Sequence, residues 1–263
     1  MNIKKHIPNF LTCCNLLCGV VGIFYLFEGD FWIASYSIYI ACVFDFLDGF
    51  AARMLKVSSP IGKELDSLAD MVTFGVLPGF IMFKAIRFIE HNFSYANAEP
   101  MSVTDAVNIS QYGYWSFIAF LIPVFSALRL AKFNIDTRQS DSFIGLPTPA
   151  NALFISSVPY FLTYVLMLTN NENEQNFYNK VAIGILCVTS IILSYLLVAE
   201  LPLIALKFKN FGWPDNKMRY LLIISAVVLL LILNIKAIPL IIILYIILSL
   251  TNNYFNKSTS AKV

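Results

Sequence analysis

Four aspartates in the first third of the chain have types and spacing that suit chemistry at a carboxylate cluster. They fall in the stretch FDFLDGFAARMLKVSSPIGKELDSLAD, residues 44–70. Asp45 and Asp48 are three residues apart, and Asp66 and Asp70 are four apart, so each pair shares one face if both segments are helical. A hairpin of two such helices would bring the carboxylates together. We therefore expect a compact acidic cluster near one end of two neighbouring helices.

The cluster predicts a site for hard divalent cations, because the chain around it is strongly apolar. An isolated charge deep in a bilayer costs roughly 3 kcal/mol or more, and like charges side by side add to that cost. The carboxylates therefore either take up protons or bind cations. An all-oxygen ligand set indicates Mg²⁺, Mn²⁺ or Ca²⁺. Two ions sharing the carboxylates would give a geometry used in phosphoryl-type chemistry.

The residues beside the aspartates point to a phosphate-bearing ligand. Gly49 and Gly62 lack side chains, which lets a ligand approach the backbone. Arg53 lies one helical turn beyond Gly49, and a guanidinium can bind phosphate through two parallel hydrogen bonds. Close packing of small residues between two helices is the alternative explanation for the glycines. It does not account for four aspartates and an arginine in the same hairpin.

Composition indicates the environment in which these helices lie. Hydrophobic residues make up 58% of the 263 residues, and charged residues make up 13%. The mean hydropathy is +0.72, whereas soluble domains are typically about a quarter charged. We predict an all-α polytopic membrane protein with about eight transmembrane helices. The apolar runs that define them lie at about 10–27, 31–54, 63–89, 112–133, 147–169, 179–200, 219–234 and 237–254.

The distribution of charge predicts the orientation in the membrane. With eight spans, the lysine-rich and arginine-rich connections fall on one side, together with both termini and the turn between the aspartate-bearing helices. The positive-inside rule places that side in the cytoplasm. We therefore expect an integral protein of a prokaryotic cytoplasmic membrane, with the acidic cluster facing the cytoplasm. The net charge of only +2 argues against a nucleic-acid partner.

The complete spacing of the hairpin resembles a known signature. Asp45-x-x-Asp48-Gly49-x-x-Ala52-Arg53, eight residues, then Gly62-x-x-x-Asp66-x-x-x-Asp70 is similar to the signature of the CDP-alcohol phosphatidyltransferase family. The resemblance implies a six-helix membrane core over about residues 1–200, with residues 201–263 forming an additional C-terminal transmembrane hairpin. It implies that CDP-diacylglycerol is held by its pyrophosphate, that an alcohol attacks and that CMP leaves. It also implies that the protein forms a homodimer and that membrane lipids surround it.

The resemblance assigns roles to individual residues. Two divalent ions, Mg²⁺ or Mn²⁺, would be held by Asp45, Asp48, Asp66 and Asp70. Asp70 would also be the general base for the hydroxyl of the alcohol. The nucleotide diphosphate of the lipid would contact Gly49, Arg53, Ser59 and Gly62. The early segment PNFLT resembles a stretch beside the nucleotide, which adds Asn9 and Thr12, although Asn9 as the cap of an interfacial helix is the alternative.

A second stretch bears on the acceptor alcohol. SALRLAKFNIDTRQSDSFIGLPTPANA, residues 126–152, is similar to the branch of the family that uses L-serine, and so is the opening IPNFLTCCNLLCGV. The serine would then be bound by Arg129, Lys132, Asn134 and Arg138. Arg129 is the strongest candidate, because it lies deepest in its span, where a charge costs most. Positive-inside anchoring is the alternative for Lys132 and Arg138, and helix capping is the alternative for Asn134.

Other functions stay open at this point. A family member that uses glycerol 3-phosphate or inositol phosphate would carry the same aspartate signature. A cation transporter also uses buried aspartates, but it typically spreads polar groups over several spans. A membrane prenyltransferase binds a diphosphate through aspartate motifs that lie far apart in the chain. We therefore expect a metal-dependent phosphatidyltransferase that acts on L-serine.

Overall fold

The computed structural model describes residues 6–57, 59–95, 114–135, 143–167, 172–204 and 212–260, and nearly all of them are helical. They form ten α-helices: α1 (His6–Phe27), α2 (Phe31–Leu55), α3 (Pro60–Asp70), α4 (Leu77–Tyr95), α5 (Leu121–Ile135), α6 (Thr148–Ile155), α7 (Val158–Met167), α8 (Glu172–Val198), α9 (Trp213–Leu233) and α10 (Ile238–Ser260). Shorter helical segments are the π-helix Met71–Val76 and the 3-10 helices Tyr114–Phe120 and Asn234–Ala237. Two short strands, β1 (Phe143–Ile144) and β2 (Pro202–Leu203), pair antiparallel.

Six helical stretches of the described chain are long and apolar enough to cross a membrane. They are His6–Phe27, Pro60–Glu90, Tyr114–Ile135, Thr148–Met167, Phe177–Val198 and Asn216–Asn253. The prediction of an all-α polytopic membrane protein is confirmed, but the count of eight spans is not. The last stretch contains both α9 and α10, separated by a break at Asn234, where φ is 53° and ψ is −143°. The aspartate-bearing helix α2 is not among the six.

A capped turn joins α1 to α2. Asp30 accepts hydrogen bonds at 2.9 Å from the backbone N–H groups of Trp32 and Ile33, so it closes the N-terminus of α2. Gly29 has a φ of 93°, a conformation that only glycine adopts freely. The turn sends α2 back along α1, so that the two helices form a hairpin.

The buried face of α1 is made of small and polar residues. Its members recur three or four residues apart: Pro8, Thr12, Asn15, Gly19, Gly22 and Leu26. A Cβ on Gly19 would lie 2.4 Å from Thr73 Oγ1, and one on Gly22 would lie 2.7 Å from Leu77 Cδ2. The glycines therefore let α1 approach the π-helix and α4 closely, and this approach positions the polar side chains of the same face.

A second turn, between α2 and α3, brings the two acidic motifs together. Helix α2 ends at Leu55, and the residue that caps it, Lys56, has a left-handed backbone with φ 51°. Helix α3 begins at Pro60, and the Ser59 hydroxyl accepts a hydrogen bond from Gly62 N–H at 2.9 Å. Proline at the first helical position and serine at the cap are both typical helix-start residues. The helical hairpin that the aspartate spacing required is therefore present.

The helix that begins at Pro60 changes its winding directly after Asp70. Residues Met71–Val76 form a π-helix, and α4 then continues to Tyr95. Single turns of π-helix occur frequently at functional sites. Phe74 in this segment and Leu77 after it are fully buried in the core cluster, so packing fixes the position of the π-turn and of Asp70 beside it.

Candidate active site

Three of the four predicted metal ligands converge. Carboxylate oxygens of Asp45, Asp48 and Asp66 lie within 4.8 Å of one another. Asp66 Oδ1 is buried and has no hydrogen-bond partner in the described part of the chain. A buried oxygen without a partner is costly, so it favours a ligand at that point. The oxygen-only donor set and the spacing fit a divalent cation of the Mg²⁺ or Mn²⁺ class.

Helix α1 holds one carboxylate of this cluster. The Thr12 hydroxyl donates a hydrogen bond to Asp48 Oδ2 at 2.7 Å, and both side chains are buried. Thr12 was predicted to contact the nucleotide, and it also lines the pocket described below. Its closest polar partner, however, is the acidic cluster itself. The opening segment therefore contributes to the site by orienting a carboxylate.

Asp70 lies beside the three converging carboxylates and has a different partner. Asn15 Nδ2 donates a hydrogen bond to Asp70 Oδ1 at 3.2 Å. The Thr73 hydroxyl in turn donates to the Asn15 carbonyl at 3.1 Å, which ties α1 to the π-helix. Asp70 also lies within electrostatic range of Asp45 and Asp66. It is therefore a neighbour of the cluster whose carboxylate is oriented separately.

A cavity of about 210 Å³ opens next to the cluster. Its walls combine the start of α1, the end of α2 and the start of α3. The lining residues are Pro8, Asn9, Thr12, Asp48, Gly49, Ala52, Val57, Ser59, Gly62, Lys63 and Asp66. Five of the six residues predicted to bind CDP-diacylglycerol are among them.

Small residues keep this cavity open. A Cβ on Gly62 would lie 2.9 Å from both Asn9 Oδ1 and Ser59 Oγ, so a larger residue would displace those side chains. The sixth predicted residue, Arg53, is exposed and does not line the cavity, but its terminal nitrogens lie 4.0 Å from the Cβ position of Gly49. Its guanidinium therefore lies at the edge of the cavity.

The predicted acceptor residues separate into buried and exposed groups. Arg129 is only 7% exposed, and its Nε is buried with no hydrogen-bond partner in the described chain. Its guanidinium carbon lies 5.7 Å from the centre of the Phe133 ring and within electrostatic range of Asp70. Lys132 is exposed. Arg138 lies outside the described residues.

The side chain of Asn134 is hydrogen-bonded within the protein and does not point to a free binding position for serine. Its Nδ2 donates to Ser67 Oγ at 2.9 Å, and its carbonyl accepts from Lys63 Nζ at 3.1 Å. Both partners belong to α3, the helix that carries Asp66 and Asp70. Asn134 therefore fixes the end of α5 against the aspartate-bearing helix.

Sequence reasoning missed Asn15. Its amide reaches Asp70 across 55 positions of the chain, a contact that helical periodicity within one segment cannot reveal. A signal was nevertheless present, because Asn15 shares a face with Thr12 and Gly19 in a helix that is otherwise apolar. Polar groups within membrane spans are rare and usually functional.

Together, the fold and the site define a class of protein: a helical membrane enzyme with a carboxylate cluster beside a cavity at one end of its helices. Residues 5–196 match the CDP-alcohol phosphatidyltransferase family, and this chain belongs to that family. The predicted family is thereby confirmed. The site described above lies within the matched residues.

Relatives within the family come from bacteria and archaea. The chain is 31% identical over 186 residues to the CDP-diacylglycerol–serine O-phosphatidyltransferase of Helicobacter pylori, and the alignment covers 70% of each protein. It is 32% identical over 145 residues to the Bacillus subtilis protein of the same name, covering 55% of this chain and 70% of the other. It is 30% identical over 171 residues to the archaetidylserine synthase of Methanothermobacter thermautotrophicus, covering 62% of this chain and 63% of the other.

Proposed function

We propose that this protein is a phosphatidylserine synthase, which transfers the phosphatidyl group of CDP-diacylglycerol to the hydroxyl of L-serine and releases CMP. Family membership and the names of the relatives support the donor, the acceptor and the reaction. The observation that carries the proposal is the convergence of Asp45, Asp48 and Asp66 beside a cavity, within the residues that match the family. The buried Arg129, whose Nε has no hydrogen-bond partner in the described chain, suits an acceptor that carries a carboxylate.

The aspartates are proposed to hold two divalent ions, Mg²⁺ or Mn²⁺. Asp45, Asp48 and Asp66 supply converging oxygens, and Asp70 is the fourth proposed ligand. When bound, such ions neutralise the pyrophosphate and stabilise the departing CMP. Thr12 fixes the Asp48 carboxylate through its hydrogen bond, so that one of its oxygens has a defined direction.

Asp70 is proposed as the general base. It accepts the proton of the serine hydroxyl while the serine oxygen bonds to the phosphorus that carries diacylglycerol. The bond from that phosphorus to the CMP oxygen breaks, and CMP leaves with the electron pair. Asn15 holds one Asp70 oxygen and leaves the other to take the proton. Proton transfer to a positioned carboxylate typically contributes about 10²–10⁴-fold to a rate.

The cavity beside the cluster is proposed to take the nucleotide diphosphate of the donor. Gly49 and Gly62 leave room for it, and Asn9, Thr12 and Ser59 supply polar groups in the wall. Arg53, at the edge of the cavity, suits a phosphate oxygen. The acyl chains of the donor would then remain in the bilayer.

The acceptor side is proposed to centre on Arg129. Its guanidinium can pair with the serine carboxylate in a fork geometry. Lys132 and Arg138 are proposed to attract the acceptor from the aqueous side. Asn134 contributes by holding α5 to α3 through Ser67.

The finer architecture is also a proposal. We propose eight membrane spans, with a six-helix core over residues 1–200 and an additional hairpin over 201–263. The active site and both termini would face the cytoplasm of a prokaryotic cell, as the positive-inside rule predicts. A homodimer is the proposed assembly, from the resemblance to the family.

The test measures CMP release by purified protein in detergent or lipid with CDP-diacylglycerol. L-serine, glycerol 3-phosphate and inositol phosphate are compared in parallel, with Mg²⁺ or Mn²⁺ and with EDTA. We expect CMP release with L-serine that EDTA abolishes and that the metal restores. Release with another acceptor would overturn the choice of serine and keep the family. Folded protein that releases no CMP with any of the three would overturn the proposed function.

A further inference from the structure

One lysine lines the cavity that is proposed to take the nucleotide diphosphate, called the donor cavity below. It is Lys63, and among the described lining residues it is the only basic one. Lys63 belongs to the first turn of α3, where its backbone N–H donates to the Ser59 carbonyl at 3.2 Å. Asp66, three residues further on, shares its face of α3 and also lines the cavity. The family signature leaves the position of Lys63 unspecified.

The ammonium of Lys63 lies where α3, α5 and the donor cavity meet. Its Nζ donates a hydrogen bond at 3.1 Å to the carbonyl of Asn134, in the last turn of α5. The last four carbonyls of a helix have no partner within that helix, and a lysine is a favourable partner for them. The contact therefore holds the end of a long side chain in one position at the edge of the cavity.

A second contact keeps α5 in the position that this hydrogen bond requires. Asn134 Nδ2 donates to Ser67 Oγ at 2.9 Å, and the Ser67 hydroxyl in turn donates to the Lys63 carbonyl at 3.3 Å. Asn134 thus binds α3 twice, once through its carbonyl and once through its amide. The position of the Lys63 ammonium therefore follows from the packing of two helices and not from the side chain alone.

The charge of Lys63 is available to an anion. The partner of its ammonium in the described part of the chain is a neutral carbonyl and not a carboxylate. An ammonium has three hydrogens, so two remain for other acceptors. The other charged residues of the cavity wall are Asp48 and Asp66, whose own charges repel an anion. Lys63 is therefore the residue of the wall whose charge attracts a diphosphate.

We propose that Lys63 is a further binding residue for the donor: held by the Asn134 carbonyl, its ammonium donates to the diphosphate of CDP-diacylglycerol. The inference rests on the proposed function. Lysine is a compact point charge, so it suits a single phosphate oxygen, whereas Arg53 on α2 can form two parallel bonds. Helix α5, which carries Arg129, thereby also positions a residue of the donor site.

The test measures equilibrium binding of labelled CDP to the purified protein with Mn²⁺ and without an acceptor, and it uses unlabelled cytidine as a competitor. Lys63→Met keeps an unbranched side chain and removes the ammonium. It should raise the Kd for CDP about tenfold, the effect of one hydrogen bond to a charged group, and change the Kd for cytidine, which has no phosphate, less than about twofold. Lys63→Arg restores a cation and should bind CDP within about threefold of the wild-type protein.

Two control variants separate binding of the diphosphate from other effects. Lys56→Met removes an exposed lysine of the α2–α3 turn that does not line the cavity, so it should leave the Kd for CDP unchanged. Ser67→Ala removes the side-chain hydrogen bond between α5 and α3 but keeps the ammonium of Lys63. It should therefore raise the Kd for CDP much less than Lys63→Met does.

An unchanged Kd for CDP in Lys63→Met would overturn the inference. So would equal losses of CDP and cytidine in that variant, or an equal loss of CDP in either control. The result does not depend on the acceptor. A wild-type protein that binds CDP but releases no CMP with any acceptor would overturn the proposed function and still decide the role of Lys63. A wild-type protein that binds no CDP in the presence of the metal would overturn both.

Discussion

The four aspartates are similar in sequence context but differ in their partners. Asp45, Asp48 and Asp66 converge within 4.8 Å, whereas Asp70 is oriented by an amide from another helix. A carboxylate that accepts one amide hydrogen bond keeps its second oxygen available for a proton. The difference in partners therefore supports a separate role for Asp70, as the base and not only as a ligand.

Replacing Asp70 with asparagine tests that role. Asparagine keeps the size of the side chain and loses the basic oxygen, so turnover should fall at least about 100-fold, within the usual contribution of general base catalysis. CMP release measures the loss, and thermal unfolding checks that the protein is folded. Glu64→Gln, an exposed change on the same helix, should keep near-normal turnover. Near-normal turnover in Asp70→Asn would exclude Asp70 as the base.

Replacing Asn15 tests the orientation of Asp70. Asn15→Ala removes the hydrogen bond to Asp70 and should lower kcat about tenfold, with little change in the KM for CDP-diacylglycerol, because the donor cavity does not include Asn15. Steady-state CMP release gives both constants. Cys13→Ala, an exposed change on the same helix, is the control and should have no effect. An unchanged kcat in Asn15→Ala would show that Asp70 needs no support from α1.

At the scale of the helices, the site depends on how closely α1 approaches the π-helix. Gly19 faces Thr73, and the Thr73 hydroxyl holds the carbonyl of Asn15 one turn earlier on α1. The same contact therefore sets the distance between two helices and the position of the amide that orients Asp70. A change in packing at this contact should therefore alter turnover, although no residue of the site itself is changed.

Gly19→Ala should therefore impair both stability and turnover. The added Cβ would lie 2.4 Å from Thr73 Oγ1 and 2.9 Å from Thr73 Cα, an overpacking that typically costs about 1–3 kcal/mol. The midpoint temperature of thermal unfolding and the kcat should both fall. Gly184→Ala on α8 is the matched control, since nothing lies within 4 Å of its Cβ position, and alanine in an open helix position gains about 0.5–1 kcal/mol. Equal behaviour of the two variants would contradict the close packing of α1.

Local spacing was enough to predict the aspartate hairpin, but not the contacts that support it. Helical periodicity places Asp45 with Asp48 and Asp66 with Asp70, and Pro60 is typical of the start of α3. The amide that holds Asp70 comes from α1, and the amide of Asn134 on α5 reaches Ser67 on α3. These pairings depend on which helices pack together, and one amphipathic pattern does not specify its partner. The π-turn after Asp70 likewise has no marker in the sequence.

At the scale of the whole molecule, an exposed basic residue and the candidate active site lie at the same end of the helical bundle. The α2–α3 turn lies at the same end as the carboxylate cluster and the donor cavity, and Lys56 is exposed in it. The α1–α2 turn, with the exposed Glu28, lies at the other end of α2, about 37 Å away at 1.5 Å per residue. A water-soluble amino acid and CMP can exchange directly with the aqueous phase on the side of Lys56. We therefore expect that end to face the cytoplasm.

Cysteine labelling can test this orientation in a protein whose five native cysteines are replaced by alanine. A membrane-impermeant maleimide should label Lys56→Cys in inverted vesicles and not in right-side-out vesicles. Glu28→Cys should show the opposite pattern, because a single helix separates the two positions. The pair controls for vesicle leakage, which would label both variants from both sides. If Lys56→Cys were labelled only from the outside, the orientation would be the opposite of the one expected, and the serine site would face the external side. That result would contradict the topology that we predict from the sequence, in which eight spans put the basic connections on the side of Lys56.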